Sequence, residues 1–282
     1  KYKIKRRTET EAIAQDNFLT WTLPDFEKKT IKYFLKLSKS NTILKNQPLK
    51  DYEQLLDFEK LDNIENLSLY DFLLKKYIAL YSRHLNQYED NAIFFSPIET
   101  KVFGNTKEFL SISFDSLSNT NLKNTSLLYQ ELERLHPDDE TLDFERIQFY
   151  ENYVFRKNAN YLSILNRFQK RVSDTALFRK VQLARANLYS KMASKDKYPD
   201  YNAIAIKILD SILSVKSRSN SYKNAYLQKQ RMLAKSVDVQ LQKYVYEGEN
   251  TRAFVKFKNT DSLFLKIFKI SSEFQFSNNA FD

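Results

Sequence analysis

Chemistry needs particular side chains held close together, and this chain of 282 residues carries few of them. It has two histidines, His84 and His136, no cysteine, and two glycines, Gly104 and Gly248. Without cysteine there is no disulfide, thiol nucleophile, thioester or cysteine-ligated zinc. A loop that cradles phosphate needs several glycines close together, and here the two lie far apart. The P-loop and the dinucleotide fingerprint are therefore excluded. Glu133 precedes His136 by three positions, the spacing of a metal-binding bundle helix, but no second histidine or carboxylate set completes it. Tyr81 stands where His84 would need the glutamate. The acidic run Asp138-Asp139-Glu140 has the composition of a paired-carboxylate acid/base site. The same acids are favourable in the first turn of a helix, which is the simpler reading. Both histidines are expected at helix C-termini, where an imidazolium meets the negative end of the dipole. No catalytic, cofactor or metal residue is assigned, no cofactor is implied, and an enzyme is not expected.

The elements that would position any site are mostly helices. Pro24 opens one, with Asp25 and Glu27 near its positive end and Phe26, Thr30, Ile31, Phe34 and Leu37 at helical spacing. A second opening is expected at Pro48, with Tyr52, Leu55 and Leu56 on one face. Ser68 caps a third helix, with Asp71 three residues on as a weaker capping box. Residues 106–117 are ambiguous, because Leu110, Ile112 and Phe114 alternate as in a strand. Residues 118–124 are polar and loop-like, and Thr125 or Ser126 can then cap a helix ended by Pro137. From 141 to 236 the pattern is of serial helices. Starts near 141 and 174 lie about one helix-pair repeat apart, and Ala186, Tyr189, Ala205 and Leu209 resemble the small/large pattern of a tetratricopeptide repeat.

Near 237 the period changes from helical to alternating. Val237, Val239 and Leu241 alternate with polar residues, as do Ala253, Val255 and Phe257, then Leu263, Leu265 and Ile267. A hairpin is expected across Asn259–Ser262. Three strands are too few for an independent sandwich, so the chain is expected to hold the start of a larger domain. The expected fold is mainly α. Stacked antiparallel helices, tetratricopeptide-like and of α-solenoid type, are followed by the first antiparallel strands of a β-sandwich. The expected divisions are an extended lead-in at 1–23, a helical region at 24–136, a repeat-like helical region at 137–236 and an incomplete β-domain at 237–282.

Charge is uneven along the chain. Of its net +10, residues 152–243 carry 19 Lys and Arg against 5 Asp and Glu. Such a basic surface suits nucleic acid, anionic lipid or an acidic partner. No nucleic-acid motif accompanies it, so nucleic acid is not the expected partner and a basic nucleic-acid-binding protein ranks third. No apolar run is long enough for a membrane helix.

The order SLYDFLLKKYIALY, AIFFSP, LLYQELERLH, a helical tract and then TRAFVKFKNTDSLFLKIFKI resembles a known one. It is similar to the N-terminal region of large bacterial alpha-2-macroglobulin-like proteins, in which macroglobulin β-domains follow a long helical segment. The likeness spans about 68–270 and rests on loose patterns: the YQEL…H helix end resembles the helical segment, and the Arg252–Ile270 hairpin resembles the first strands of the β-domain. It implies a non-enzymatic protein of protease trapping or envelope defence. It also implies a place in the cell envelope, periplasmic or outer-membrane associated, with a tether through a lipidated N-terminus. The implied partners are target proteases; the alternative is a scaffold docked on an outer-membrane complex. No functional residue carries over. Possible partner contacts are Phe94 and Phe95 in the aromatic loop, and Arg156, Lys157, Arg167, Lys170 and Arg171 on the basic tract.

Overall fold

A computed structural model describes residues 21–39, 41–56, 66–83, 85, 100–137, 139–155, 158–242, 246 and 248–266. His84, nearly all of the expected lead-in and the segment from 267 onward lie outside the described residues. The fold is mainly helical, with a small two-stranded antiparallel sheet. It divides into two compact units, Lys1–Val181 and Gln182–Asp282. The divisions expected from sequence begin at 24, 137 and 237.

In the first unit, α1 (Leu23–Ser38) starts at Thr22, whose hydroxyl and backbone N–H exchange hydrogen bonds with Asp25 in a capping box. Its buried Phe34 stacks on Tyr77 at 3.5 Å, and the Tyr77 hydroxyl donates to the Thr30 carbonyl. After α2 (Asn41–Lys45), only a 3₁₀ turn, Leu49–Tyr52, follows Pro48. The longer helix expected there is displaced by an antiparallel bridge between Pro48 and Ser68, in which Leu49 N–H donates to Leu67 O and Leu69 N–H to Gln47 O. The bridge buries Leu49 against Phe72 of α3 (Leu69–Arg83). The Ser68 cap on α3 forms as expected, with the Asp71 carboxylate accepting from both the N–H and the hydroxyl of Ser68.

Residues 106–117 are not a strand. They form α4 (Thr106–Leu110) and a loop, and Ile112 and Phe114 are buried without a ladder. Their backbone is served by a side chain, as Gln130 Nε2 donates to the Phe109 and Ile112 carbonyls. The next helix, α5 (Thr120–Leu135), begins at Asn119, whose side chain accepts from Leu122 N–H. Residues 120–124 are therefore helical rather than loop. Thr125 and Ser126 are no caps; they lie buried mid-helix, donating back to the Asn121 and Leu122 carbonyls. Asp139 caps α6 (Glu140–Tyr150), which gives the acidic run the helix-starting role. A π-helical turn, Glu151–Phe155, leads to α7 (Asn158–Gln169) and α8 (Thr175–Met192).

The second unit holds the rest of α8, then α9 (Tyr201–Leu213) and α10 (Asn220–Leu233). Ala186, Leu209, Ile212 and Ala225 form its core, edged by Leu183, Ile208, Leu213 and Met232. Fully buried alanines at the contacts let the helix backbones approach closely. Strands β1 (Ser236–Leu241) and β2 (Ala253–Lys258) follow, antiparallel, in the register Ser236↔Lys258 to Leu241↔Ala253. The hairpin thus pairs β2 with β1. The turn expected at Asn259–Ser262 is not one, and residues 262–266 form no strand.

Candidate interaction surface

The last turn of α10 leaves carbonyls without helical partners. Two side chains from the end of β2 supply them. Lys258 Nζ donates to Arg231 O at 2.7 Å, and Asn259 Nδ2 donates to Met232 O at 2.7 Å and Ala234 O at 3.1 Å. The Lys258 ammonium also complements the negative end of the helix dipole. Asn259 takes φ 53°, a left-handed conformation that asparagine tolerates better than most residues. Helix and ladder are joined rather than loosely strung.

The ladder has two unlike faces. Alternation places Val237, Val239, Leu241, Ala253, Val255 and Phe257 on one face and Ser236, Asp238, Gln240, Phe254, Lys256 and Lys258 on the other. Asp238 sits directly across from Lys256. Every residue of both strands is exposed, including Val239 at 46% and Phe257 at 59%. A lone two-stranded ladder is marginal in water, and the residues of this one's apolar face are all exposed.

The outward side of α10 is also distinctive. Ser221 and Ala225 are buried, while Lys223, Tyr226, Leu227, Gln230 and Arg231 are exposed on the opposite side. From 211 to 237 there are six cations and no acid. The stretch lies inside the broad basic tract of 152–243, and its absence of acids is the sequence signal that sets it apart.

Of the expected contact residues, Arg167 of α7 and Lys170 just beyond it are exposed. Arg171 is exposed but engaged, since its Nη2 donates to Asp143 Oδ2 at 2.9 Å and its guanidinium lies over the Phe168 ring. Phe94, Phe95, Arg156 and Lys157 lie outside the described residues.

Two clusters of titratable groups stand out among the described residues of the first unit. A cleft of ≈ 320 Å³ is lined by Lys45, Pro48, Asn66, Ser68, Asp71 and His136. His136 caps α5 as expected, and its Nε2 meets Asp71 Oδ1 at 2.9 Å, a partner 65 positions away that spacing could not reveal. That bond raises the His136 pKa against the opposing effect of burial. Burial pushes Asp71 up, but hydrogen bonds from His136 and Ser68 outweigh it and hold the carboxyl below its usual range. The carboxylate stands between serine and histidine, so the Ser68 hydroxyl donates to Asp71 and the imidazole is held by the far oxygen of the same carboxylate, the reverse of the serine–histidine–aspartate order of a catalytic triad.

The second place is fully interior. Arg146, 0% exposed, donates to Glu133 Oε1 and Asp143 Oδ1, each at 2.5 Å, and to the carbonyls of Val102 and Gly104. It lies over the Phe109 ring. Glu133 Oε2 is buried with no hydrogen-bond partner among the described residues, and burial lifts this carboxyl to about 7 in spite of Arg146. Gly104 is needed here, because a Cβ would stand 2.0 Å from the Glu108 carboxylate that caps Asn105 N–H. Among the described residues, no group of three or more histidines and acids is placed to hold a metal ion. No family model matches the chain, and no curated protein or solved structure matches it either.

Proposed function

We propose that this chain is the N-terminal interaction module of a large cell-envelope protein of the alpha-2-macroglobulin-like kind, non-enzymatic, acting in protease trapping or envelope defence. The observation that carries the reading is the β1–β2 ladder, clamped to α10 and with all its aliphatic residues on one face. A ladder with one apolar face suits the inner side of a sandwich, and it follows directly on the helices, as the resemblance implies. The buried alanines of α8, α9 and α10 suit a tetratricopeptide-like stack. In this reading the apolar face is covered by further strands of the same β-domain. The protein lies on the periplasmic side or at the outer membrane, held by a lipidated N-terminus.

The test is a trapping assay on the full-length gene product. A physical trap leaves a captured protease active on a small chromogenic peptide while blocking its action on a large protein substrate. Loss of large-substrate cleavage alone supports the reading. Unchanged cleavage of both substrates, across proteases of several specificities, removes the trapping role.

A further inference from the structure

We propose that the outward face of α10 docks onto an anionic lipid surface. The proposal does not depend on the reading of the ladder. Three features converge on one helix. The exposed side of α10 centres on Tyr226 and Leu227, a tyrosine ring and an aliphatic side chain that are 51% and 49% exposed. Lys223 and Arg231, both exposed, stand one turn to either side of Leu227. Lys216 and Arg218 precede the helix and Lys235 follows it, all exposed.

The local acids do not cancel this charge. Asp210 on α9 is paired with Lys229 at 2.5 Å, and Asp238 on β1 faces Lys256 across the ladder. Glu249 in the β1–β2 connection and Asp261 beyond β2 are the other described acids of the joint region. A helix of 14 residues is about 21 Å long, and Lys223 and Arg231 stand about two turns apart on its exposed side, within reach of one flat surface. No helix among the described residues is long and apolar enough to cross a membrane, so the contact would be peripheral. Two apolar side chains bracketed by cations suit headgroups above an acyl boundary: the cations meet the lipid charge and the tyrosine and leucine enter below it. A nucleic-acid backbone would leave Leu227 uncovered, which favours lipid over that partner.

The experiment uses the whole chain with two vesicle types, pure phosphatidylcholine and phosphatidylcholine with about 30% phosphatidylglycerol, and reads the bound fraction by flotation. Binding is expected to the anionic vesicles only, falling at least about fivefold between about 0.05 M and 0.5 M salt. The double variant Lys223→Glu/Arg231→Glu should lower binding about tenfold or more, since it reverses two charges at the surface. Tyr226→Ala/Leu227→Ala should lower it about threefold with the salt dependence kept. Lys223→Arg should bind as the parent does. All these positions are exposed, so circular dichroism and thermal midpoints should match the parent. The proposal is overturned by equal binding to neutral vesicles, by full binding of the charge-reversed variant, or by no vesicle binding at all. It is likewise overturned if the chain ignores vesicles but binds duplex DNA or polyglutamate, which would assign the face to an acidic macromolecule.

Discussion

Arg146 carries no water-facing atom, so its charge is supported entirely from within. Two carboxylates, two carbonyls and an aromatic ring surround it. Removing the cation strands Glu133 and Asp143 in the interior. Arg146→Met is expected to cost about 3–5 kcal/mol in urea unfolding, and adding Glu133→Gln should recover part of that loss. The same cluster ties stability to pH. The folded pKa of Glu133, about 7, lies above its ordinary 4.5, so the folded state holds the proton longer than the unfolded chain. Stability should therefore fall as pH rises from 4.5 towards 7, and Glu133→Gln should flatten that slope. His136 adds a separate term of the same sign. Its pKa is raised by Asp71, so its contribution is complete below 6.5 and is lost as pH climbs through the folded value. A proton-NMR titration should place His136 above 6.5, and Asp71→Asn should bring it down. An unmoved His136 in that variant would sink the pairing.

At the scale of the element, the joint between α10 and β2 rests on three side-chain bonds to helix carbonyls. Asn259→Ala removes two of them and places a residue without a polar side chain at positive φ, which should cost about 1–2 kcal/mol. Asn259→Gly loses the same bonds but keeps the backbone free, so it should cost less in the same melt. Local signals were the legible ones. Pro24, Ser68 with Asp71, and Asp139 each mark a helix start because capping is decided within four residues. The start of α5 is not legible locally, because Asn119, Thr125 and Ser126 are all good caps by type, and Leu122 is buried where the helix starts at the first. The strand partner is illegible for a similar reason. Alternation shows that 237–241 and 253–257 are strand-like, but it carries no information on which segment pairs with which. Tertiary chemistry was the least legible, as with Asp71 and His136 or Glu133 and Arg146. Their partners meet because helices pack, and no spacing rule spans that distance.

At the scale of the whole molecule, the two compact units differ in how they hold charge. The first buries paired ions, whereas the second spreads cations over its surface. The second also presents the apolar ladder, which gives a test of whether that face is inner or outer in the intact protein. Val239→Lys should change the stability of this chain by no more than about 0.5 kcal/mol, because Val239 is already exposed. In the full-length gene product the same change should lower the β-domain melting temperature by several degrees, since it would bury an unpaired ammonium. A neutral effect in both would leave the face uncovered and the sandwich reading without its support.

The clamp at Asn259 has a mechanical consequence. Because Asn259 is tied to Ala234, the ladder between them is a loop closed at its root. Tension applied to the chain beyond Thr260 therefore reaches the end of α10 before it reaches the first rung of the ladder. The rungs of an antiparallel hairpin pulled from its open end fail one at a time. Here the polar clamp takes the load first, in parallel across three bonds, and a pull on the strands is delivered to the helical unit as a pull along its last helix.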